Sequence, residues 1–190
     1  DKGTTIELFK EWSYLGKHEQ TAGIGPLKLG HVAFYTPDIQ RAVAFYEKVL
    51  GFRVSDWIGD FFCFMRCNPD HHGVALFKAS EENPTQAGLH HLAFEVGTLD
   101  EVVHARNHLR KIGANIVFEG RRRAGVQIAV EFKDPDGHNL EIYWGIDQVG
   151  SEGHVRPANE WKGARSLEAA IADPVVGQDT SLRDPAVMRG

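Results

Sequence analysis

The sequence has few cysteines, no long apolar run and no basic excess, and each shortage excludes a class of protein. Two cysteines in 190 residues, Cys63 and Cys67, are too few for a disulfide framework and lack the partners of a zinc site. No apolar run approaches the roughly 18–20 residues that span a bilayer, and no signal peptide is visible. A formal charge of −5 disfavours a nucleic-acid surface. We therefore expect reduced thiols, a cytoplasmic location, and neither a membrane nor a nucleic-acid partner.

A repeat runs through the middle of the chain. The stretch "LGHVAFYTPDIQRAVAFYEKVLGFRV" (29–54) resembles "LHHLAFEVGTLDEVVHARNHLRKIGANIV" (89–117). Each copy opens with a strand that contains His, passes an Asp suited to cap a helix, Asp38 or Asp100, and continues with helical periodicity. The helix faces are predicted as Ile39, Ala42, Val43, Tyr46, Val49 and Leu50, and as Val102, Ala105, Leu109 and Ile112. The strands predicted to follow are Phe52–Trp57, Phe61–Cys67 and Gly73–Phe77, then Ile116–Glu119, Val126–Phe132 and Asn139–Trp144.

The repeat predicts an α+β fold in which two tandem β-α-β-β-β modules form a mixed sheet around a shared cleft. Module one spans residues 27–80 and module two residues 87–147, which together give a catalytic domain of residues 27–147. Residues 148–190 are expected to form a C-terminal arm, with a short helix over Ser166–Ala172 and Trp161 as an anchor.

The first nine residues, "DKGTTIELF", resemble the later stretch "DGHNLEIYW", with Glu7 at the position of Glu141. Residues 1–26 are accordingly predicted to be the last strand of a preceding module followed by a linker. The alternative is an N-terminal arm on a single-domain protein.

Strand alternation brings three polar side chains of the two modules to one face. Side chains on a strand point alternately to its two sides, so His31, His91 and Glu141 are predicted to converge in the cleft. Two histidines and one carboxylate that leave coordination positions open are typical of non-haem Fe(II). In module one, Ala75 takes the place of Glu141. Because alanine cannot bind a metal, the site is predicted to be open on one side.

The motifs that carry this pattern resemble those of the vicinal oxygen chelate superfamily, which includes glyoxalases, bleomycin-resistance proteins and type I extradiol ring-cleavage dioxygenases. Within it, "FMRCNPDHHGVALF", "GLHHLAFEV" and "KDPDGHNLEIYWG" look like the catalytic domain of an extradiol dioxygenase. The resemblance implies cleavage of an aromatic vicinal diol, catechol-like and either bicyclic or substituted, with insertion of both atoms of O2. It also implies Fe(II), or alternatively Mn(II), on His31, His91 and Glu141. His72 is the implied acid–base residue, with His71 as the competing choice.

Two positions depart from the extradiol signature. That signature has a His before the penultimate strand and a Tyr late in that strand, where this sequence has Arg122 and Glu131. We expect these two residues to pair with each other, or one of them to contact a polar substituent of the substrate.

Two other functions fit the same superfamily. A glyoxalase-type lyase or isomerase normally uses a fourth protein ligand, which Ala75 does not supply. A metal-free small-molecule binding protein has no need of the metal triad. A homo-oligomer is expected, with the number of subunits undetermined by sequence.

Overall fold

The computed structural model describes residues 5–11, 23–82, 84–150 and 153–183. The β-α-β-β-β order occurs twice, as the repeat predicts, and a third helix follows. The elements are β1 (Lys28–Thr36), α1 (Ile39–Leu50), β2 (Arg53–Ile58), β3 (Phe62–Arg66), β4 (Val74–Lys78), β5 (Gly88–Glu95), α2 (Leu99–Lys111), β6 (Ile116–Arg121), β7 (Ile128–Lys133), β8 (Asn139–Trp144) and α3 (Leu167–Ala172).

The eight strands form one mixed sheet in the order β2-β3-β4-β1-β5-β8-β7-β6. The first strands of the two modules, β1 and β5, pair antiparallel at its centre and join the modules. Each first strand also pairs in parallel with the last strand of its own module, β1 with β4 and β5 with β8. The two halves of the sheet are therefore equivalent, and equivalent positions meet near the centre.

Strand alternation divides the core between the two faces of the sheet. Helix α1 packs on Cys63, Met65, Val74 and Leu76, which lie on one face of β3 and β4. Helix α2 packs on the same face of module two, against Ile128, Val130 and Ile142. The residues that alternate with these along the strands point to the opposite face of the sheet. His31, Ala33, His91 and Glu141 lie on that face and are buried. This opposite face is the cleft.

The helix ends agree with the prediction for α1 but not for α2. Asp38 caps α1 by accepting a hydrogen bond from the Arg41 amide at 3.0 Å. For α2 the predicted cap Asp100 is wrong, because Thr98 is the N-cap and forms a capping box with Glu101. Asp100 instead lies in the first turn, where its charge suits the helix dipole.

Three further expectations need correction. Val49 and Ile112 were predicted on buried helix faces, but both are exposed. Val49 lies in the final turn of α1 and Ile112 just beyond the end of α2. Strand β7 begins at Ile128 rather than at Val126, because Gly125 and Val126 adopt φ values of +80° and +50° that a strand cannot contain.

The C-terminal arm contains the predicted helix, α3, with Ser166 as its N-cap. Trp161 is half-buried against Ala33, Phe64, Ala75 and Ala124 on the cleft face, and its indole N–H donates to the Arg156 carbonyl at 3.2 Å. Trp161 thus contacts the cleft face of the sheet, whereas α3 packs on module two through Leu167 and Ala170.

At the other end, residues 5–11 are exposed and belong to no strand. Residues 1–4 and 12–22, which hold the rest of the predicted strand and most of the linker, lie outside the described residues. A preceding module therefore stays a prediction. Within the described ranges, no helix combines the length and the apolar character needed to cross a membrane.

The buried guanidinium of Arg121 joins the arm to the sheet. It donates to the Ala170 carbonyl, to the Asp173 carbonyl at 2.7 Å and to Gln178 Oε1 at 3.1 Å. We expect Arg121→Met to lower the free energy of unfolding by about 2–4 kcal/mol, because these acceptors lose their donors in a buried setting. Urea unfolding followed by circular dichroism measures this loss.

The matched control is Arg123→Met, two residues along the chain, where the arginine is exposed. It should change the free energy of unfolding by less than about 0.5 kcal/mol. Equal effects of the two substitutions would show that the arm does not depend on the Arg121 contacts.

Candidate metal centre

The three residues predicted as metal ligands converge on the cleft face of adjacent strands. His31 lies on β1, His91 on β5 and Glu141 on β8, and each offers one ligand atom within 4.8 Å of the others. His31 Nε2 lies 3.1 Å from His91 Nε2, and His91 Nε2 lies 3.9 Å from Glu141 Oε2. All three side chains are buried.

Burial sets the charge state of these groups. It lowers the pKa of His31 to about 3 and that of His91 to about 2, with the neighbouring His31 as a further cause for His91. Both imidazoles are therefore neutral at physiological pH and offer lone pairs. Burial raises the pKa of Glu141 well above its usual range, and the negative charge of Glu131 adds to this effect.

These residues fit a divalent cation. Two neutral Nε2 atoms face each other at 3.1 Å, where at most one of them carries a proton. Glu141 Oε1 is buried and has no hydrogen-bond partner among the described residues. A cation would accept both lone pairs and neutralise the carboxylate, which otherwise stays buried at a cost.

The fourth corner of the site has no donor. In the parallel pair β5–β8, Glu141 lies opposite Ala93; in the parallel pair β1–β4, Ala75 lies opposite Ala33. Ala33 and Ala93 hold equivalent places in the two modules, so Ala75 is the counterpart of Glu141, as predicted. The triad is therefore open toward module one.

His71 and His72 lie beside the triad, just before β4. The His72 ring is 4.4 Å from the His31 ring and 5.0 Å from the Phe64 ring, centroid to centroid. His71 uses Nε2 for Asp56 Oδ2 at 2.9 Å and Nδ1 for His72 Nδ1 at 2.9 Å. Both ring nitrogens of His71 are thus engaged within the protein, which favours His72 over His71 as the acid–base group. Burial holds the pKa of His72 well below its usual range.

Arg122 and Glu131 form an ion pair, one of the two arrangements expected from the sequence. Glu131 lies directly opposite Glu141 in the β7–β8 pairing and is itself buried. The guanidinium of Arg122 also lies 3.7 Å from the centre of the Phe118 ring, and the Arg122 side chain is 39% exposed. The pair therefore extends from the buried carboxylate of the triad to the rim of the cleft.

Comparison with known proteins places this chain in a family. Residues 28–142 match the family model described as "Glyoxalase/Bleomycin resistance protein/Dioxygenase superfamily". The chain belongs to this superfamily. Metapyrocatechase 2 of Cupriavidus necator is 32% identical over 151 residues, which are 78% of this chain and 45% of that protein. The 3-methylcatechol 2,3-dioxygenase of Pseudomonas putida is 32% identical over 133 residues, covering 66% of this chain and 44% of that protein.

A solved superfamily structure gives the same fold. The Mn(II)-bound glyoxalase from Novosphingobium aromaticivorans is 32% identical, with a TM-score of 0.62 over 69% of this chain and 42% of that chain. This chain spans a little under half the length of the curated relatives named above.

The site in this chain includes three polar residues that the sequence analysis did not identify. His90 Nδ1 contacts His91 Nδ1 at 2.6 Å and so fixes the ring whose Nε2 faces His31. Gln127, which is buried, lowers the pKa of Glu141 against the effect of burial. Asp56 contacts His71. His90 could have been identified from the sequence, because it precedes the candidate ligand His91 in an "HH" doublet. The doublet at 71–72 likewise contains the candidate acid–base residue His72.

The buried histidines predict that acid destabilises the metal-free chain. His31, His72, His90 and His91 have lowered pKa values in the fold, so each takes up a proton on unfolding below its ordinary pKa of 6.5. Glu141, whose pKa is raised, opposes this by one proton. The net uptake of at most three protons corresponds to a stability loss of at most roughly 4 kcal/mol per pH unit as pH falls from 6.5. Urea midpoints between pH 7 and about pH 5 measure the loss.

His31→Gln should reduce this slope by about one proton, or 1.4 kcal/mol per pH unit. His104→Gln, on the exposed face of α2, should leave the slope unchanged. A chain whose unfolding midpoint stays constant over this pH interval would contradict the prediction.

Proposed function

We propose that this chain carries the catalytic domain of an Fe(II)-dependent extradiol-type dioxygenase, which cleaves an aromatic vicinal diol and inserts both atoms of O2. The observation that carries the proposal is the buried triad of His31, His91 and Glu141, open at Ala75 and flanked by His72. The similarity to the 3-methylcatechol 2,3-dioxygenase supports the same class of substrate.

The donor set is the basis for the choice of metal. Two neutral imidazoles and a carboxylate with open positions suit non-haem Fe(II). Mn(II) is the alternative, and the similarity to a Mn(II)-bound glyoxalase supports it. The bound ion would supply the Lewis acidity and the electron transfer that a reaction between a diol and O2 requires.

The cleft next to the open corner suits a flat apolar ring. Phe62, Phe64, Phe77 and Trp161 surround the small side chains of Ala33 and Ala75. The Phe77 ring lies 6.3 Å from the His91 ring, so this aromatic wall adjoins the triad. Aromatic and small apolar side chains beside a few polar groups are typical of sites for small ring compounds.

His72 is the group proposed to move the proton. Because its pKa is held low, it is neutral and can accept a proton from a diol hydroxyl and return it later in the cycle. In the overall reaction, one ring C–C bond beside the diol breaks and both oxygen atoms enter the product. The ring supplies the electrons that O2 takes up, so no external reductant is needed.

A glyoxalase-type lyase or isomerase is the second candidate, favoured by the similarity to the glyoxalase structure. Such a reaction consumes no O2. Oxygen uptake therefore separates the two functions, while metal binding is expected of both.

The decisive experiment is anaerobic reconstitution of the metal-free chain with Fe(II), followed by oxygen uptake with catechol and with methylated, bicyclic and carboxylated catechols. We expect uptake together with a new yellow ring-fission absorbance, and neither signal after treatment with a chelator. One iron per chain without uptake for any diol would overturn the dioxygenase proposal and favour the lyase or isomerase.

Arg122 is proposed to select the substituent on the ring. Its guanidinium is partly exposed at the rim and is able to donate to an anionic group as well as to Glu131. We expect Arg122→Ala to raise the KM for a carboxylated catechol about tenfold, with catechol itself little affected. Steady-state oxygen uptake with the two substrates measures the ratio.

Arg123→Ala is the matched control, since Arg123 is the exposed neighbour in the same basic run. Because Arg122→Ala also leaves Glu131 unpaired, the double variant Arg122→Ala with Glu131→Gln separates substrate contact from loss of the ion pair. An unaltered substrate ratio in both variants would assign the pair a structural role only.

A homo-oligomeric state and a cytoplasmic location are proposed as well. Exposed apolar side chains on β1 and α1, Leu29, Phe45 and Val49, support self-association. The two free thiols, Cys63 and Cys67, support a reducing compartment. Sedimentation velocity at several chain concentrations tests the first proposal, and fractionation of cells tests the second.

A further inference from the structure

A chain of hydrogen bonds links the partly exposed carboxylate of Asp56 to the buried ring of His72. Asp56 Oδ2 lies 2.9 Å from His71 Nε2, and His71 Nδ1 lies 2.9 Å from His72 Nδ1. The Asp56 side chain is 20% exposed, whereas both histidines are buried. The hydrogen bonds therefore run from a partly exposed carboxylate on the edge strand β2 to a ring that contacts the metal triad.

A β-bulge directs Asp56 into this chain. The β2–β3 register shifts between Val54 and Asp56. Val54 and Trp57 both pack against the α1 side of the sheet, three residues apart rather than two, so the strand changes phase between them. Asp56 consequently faces the cleft together with Ile58. Bulges near active sites commonly re-aim a side chain in this way.

The direction of each hydrogen bond follows from the chemistry of its partners. An ionised carboxylate only accepts, so His71 Nε2 carries the hydrogen. A neutral imidazole has one ring hydrogen, so His71 Nδ1 accepts, and His72 Nδ1 must donate to it. His72 is then left with an unprotonated Nε2.

We propose that Asp56 is a positioning residue that acts through His71 to hold His72 in the tautomer whose Nε2 is free to accept a proton. This proposal rests on the proposed function, in which His72 takes the proton of the diol. Neither Asp56 nor His71 belongs to the group of three candidate metal ligands. They fix which nitrogen of His72 carries the hydrogen.

Two substitutions of Asp56 test the proposal, with the metal-free chain used for spectroscopy. Long-range ¹H–¹⁵N correlation spectra distinguish the protonated from the unprotonated nitrogen of each histidine. Wild type should show hydrogen on His71 Nε2 and on His72 Nδ1. In Asp56→Asn the amide N–H can donate to His71 Nε2, which reverses both tautomers, whereas Asp56→Ala leaves a mixture.

Kinetics of the Fe(II)-loaded chain should follow the same order. We expect kcat to fall roughly 100-fold in Asp56→Asn and less in Asp56→Ala, with KM and iron content unchanged in both. A purely structural role predicts the opposite order, because asparagine keeps the shape of aspartate. Asp60→Asn, an exposed carboxylate in the following turn, is the matched control.

Identical tautomers in the three chains, or an asparagine variant more active than the alanine variant, would overturn the proposal. Failure of the proposed function looks different: wild type would then take up no oxygen with any diol. The tautomers of His71 and His72 would still be measurable and would still respond to Asp56.

Discussion

Glu141→Ala is expected to abolish both Fe(II) binding and oxygen uptake. Glu141 supplies the only charge in the triad, and its buried carboxylate lies 3.9 Å from His91 Nε2. Without it, two neutral imidazoles remain to hold the cation. We expect less than about a tenth of the wild-type iron after reconstitution and desalting, and a loss of kcat/KM of roughly 1000-fold or more.

The metal-free form of this variant, in contrast, should not lose stability against unfolding. In wild type the carboxylate is buried and its pKa is raised, which costs free energy at neutral pH. Removing it should therefore leave the unfolding midpoint of the metal-free chain unchanged or higher. A variant that lost iron because it unfolded would show a lower midpoint instead.

Asp136→Ala is the control for this experiment, since it removes an exposed carboxylate from the turn before the same strand. It should bind one iron per chain and keep its activity. Normal iron content in Glu141→Ala would contradict the proposed ligand set and would direct attention to Glu131, which lies opposite Glu141.

Much of this site follows from the sequence because two rules act together. Strand alternation fixes which residues share a face, and the repeat fixes which positions are equivalent. These two rules are enough to predict the triad of His31, His91 and Glu141 and the missing ligand at Ala75. The Arg122–Glu131 pair follows nearly as directly, since the two positions depart together from the resembled signature and flank one hairpin.

The remaining features depend on local breaks in regularity. Thr98 rather than Asp100 caps α2, because Glu101 stands three residues after Thr98 and completes a capping box. The sequence "TLDE" contains that signal, but two good caps lie within three residues. Asp56 faces the cleft only because of a β-bulge in β2. The three-residue spacing of Val54 and Trp57 indicates this bulge only when both residues are known to pack on the α1 side of the sheet. Gln127 follows Val126, whose positive φ no sequence pattern predicts.

His72→Gln is expected to lower kcat by roughly 100- to 1000-fold while iron content and KM stay near wild type. Glutamine fills a similar volume but cannot take up a proton. Because the His72 ring packs on His31 without being one of the three grouped ligands, its loss should spare the metal. Iron analysis together with steady-state oxygen uptake separates the two effects.

His104→Gln is the control, as it removes an exposed histidine from α2 and should change neither quantity. His71→Gln gives the sharper comparison. If His71 were the acid–base group, its loss would be at least as damaging as that of His72. Since both ring nitrogens of His71 are already engaged, we expect it to be less damaging, with the residual activity carried by His72 in mixed tautomers. A larger loss in His71→Gln than in His72→Gln would reverse the assignment and make His71 the proton acceptor.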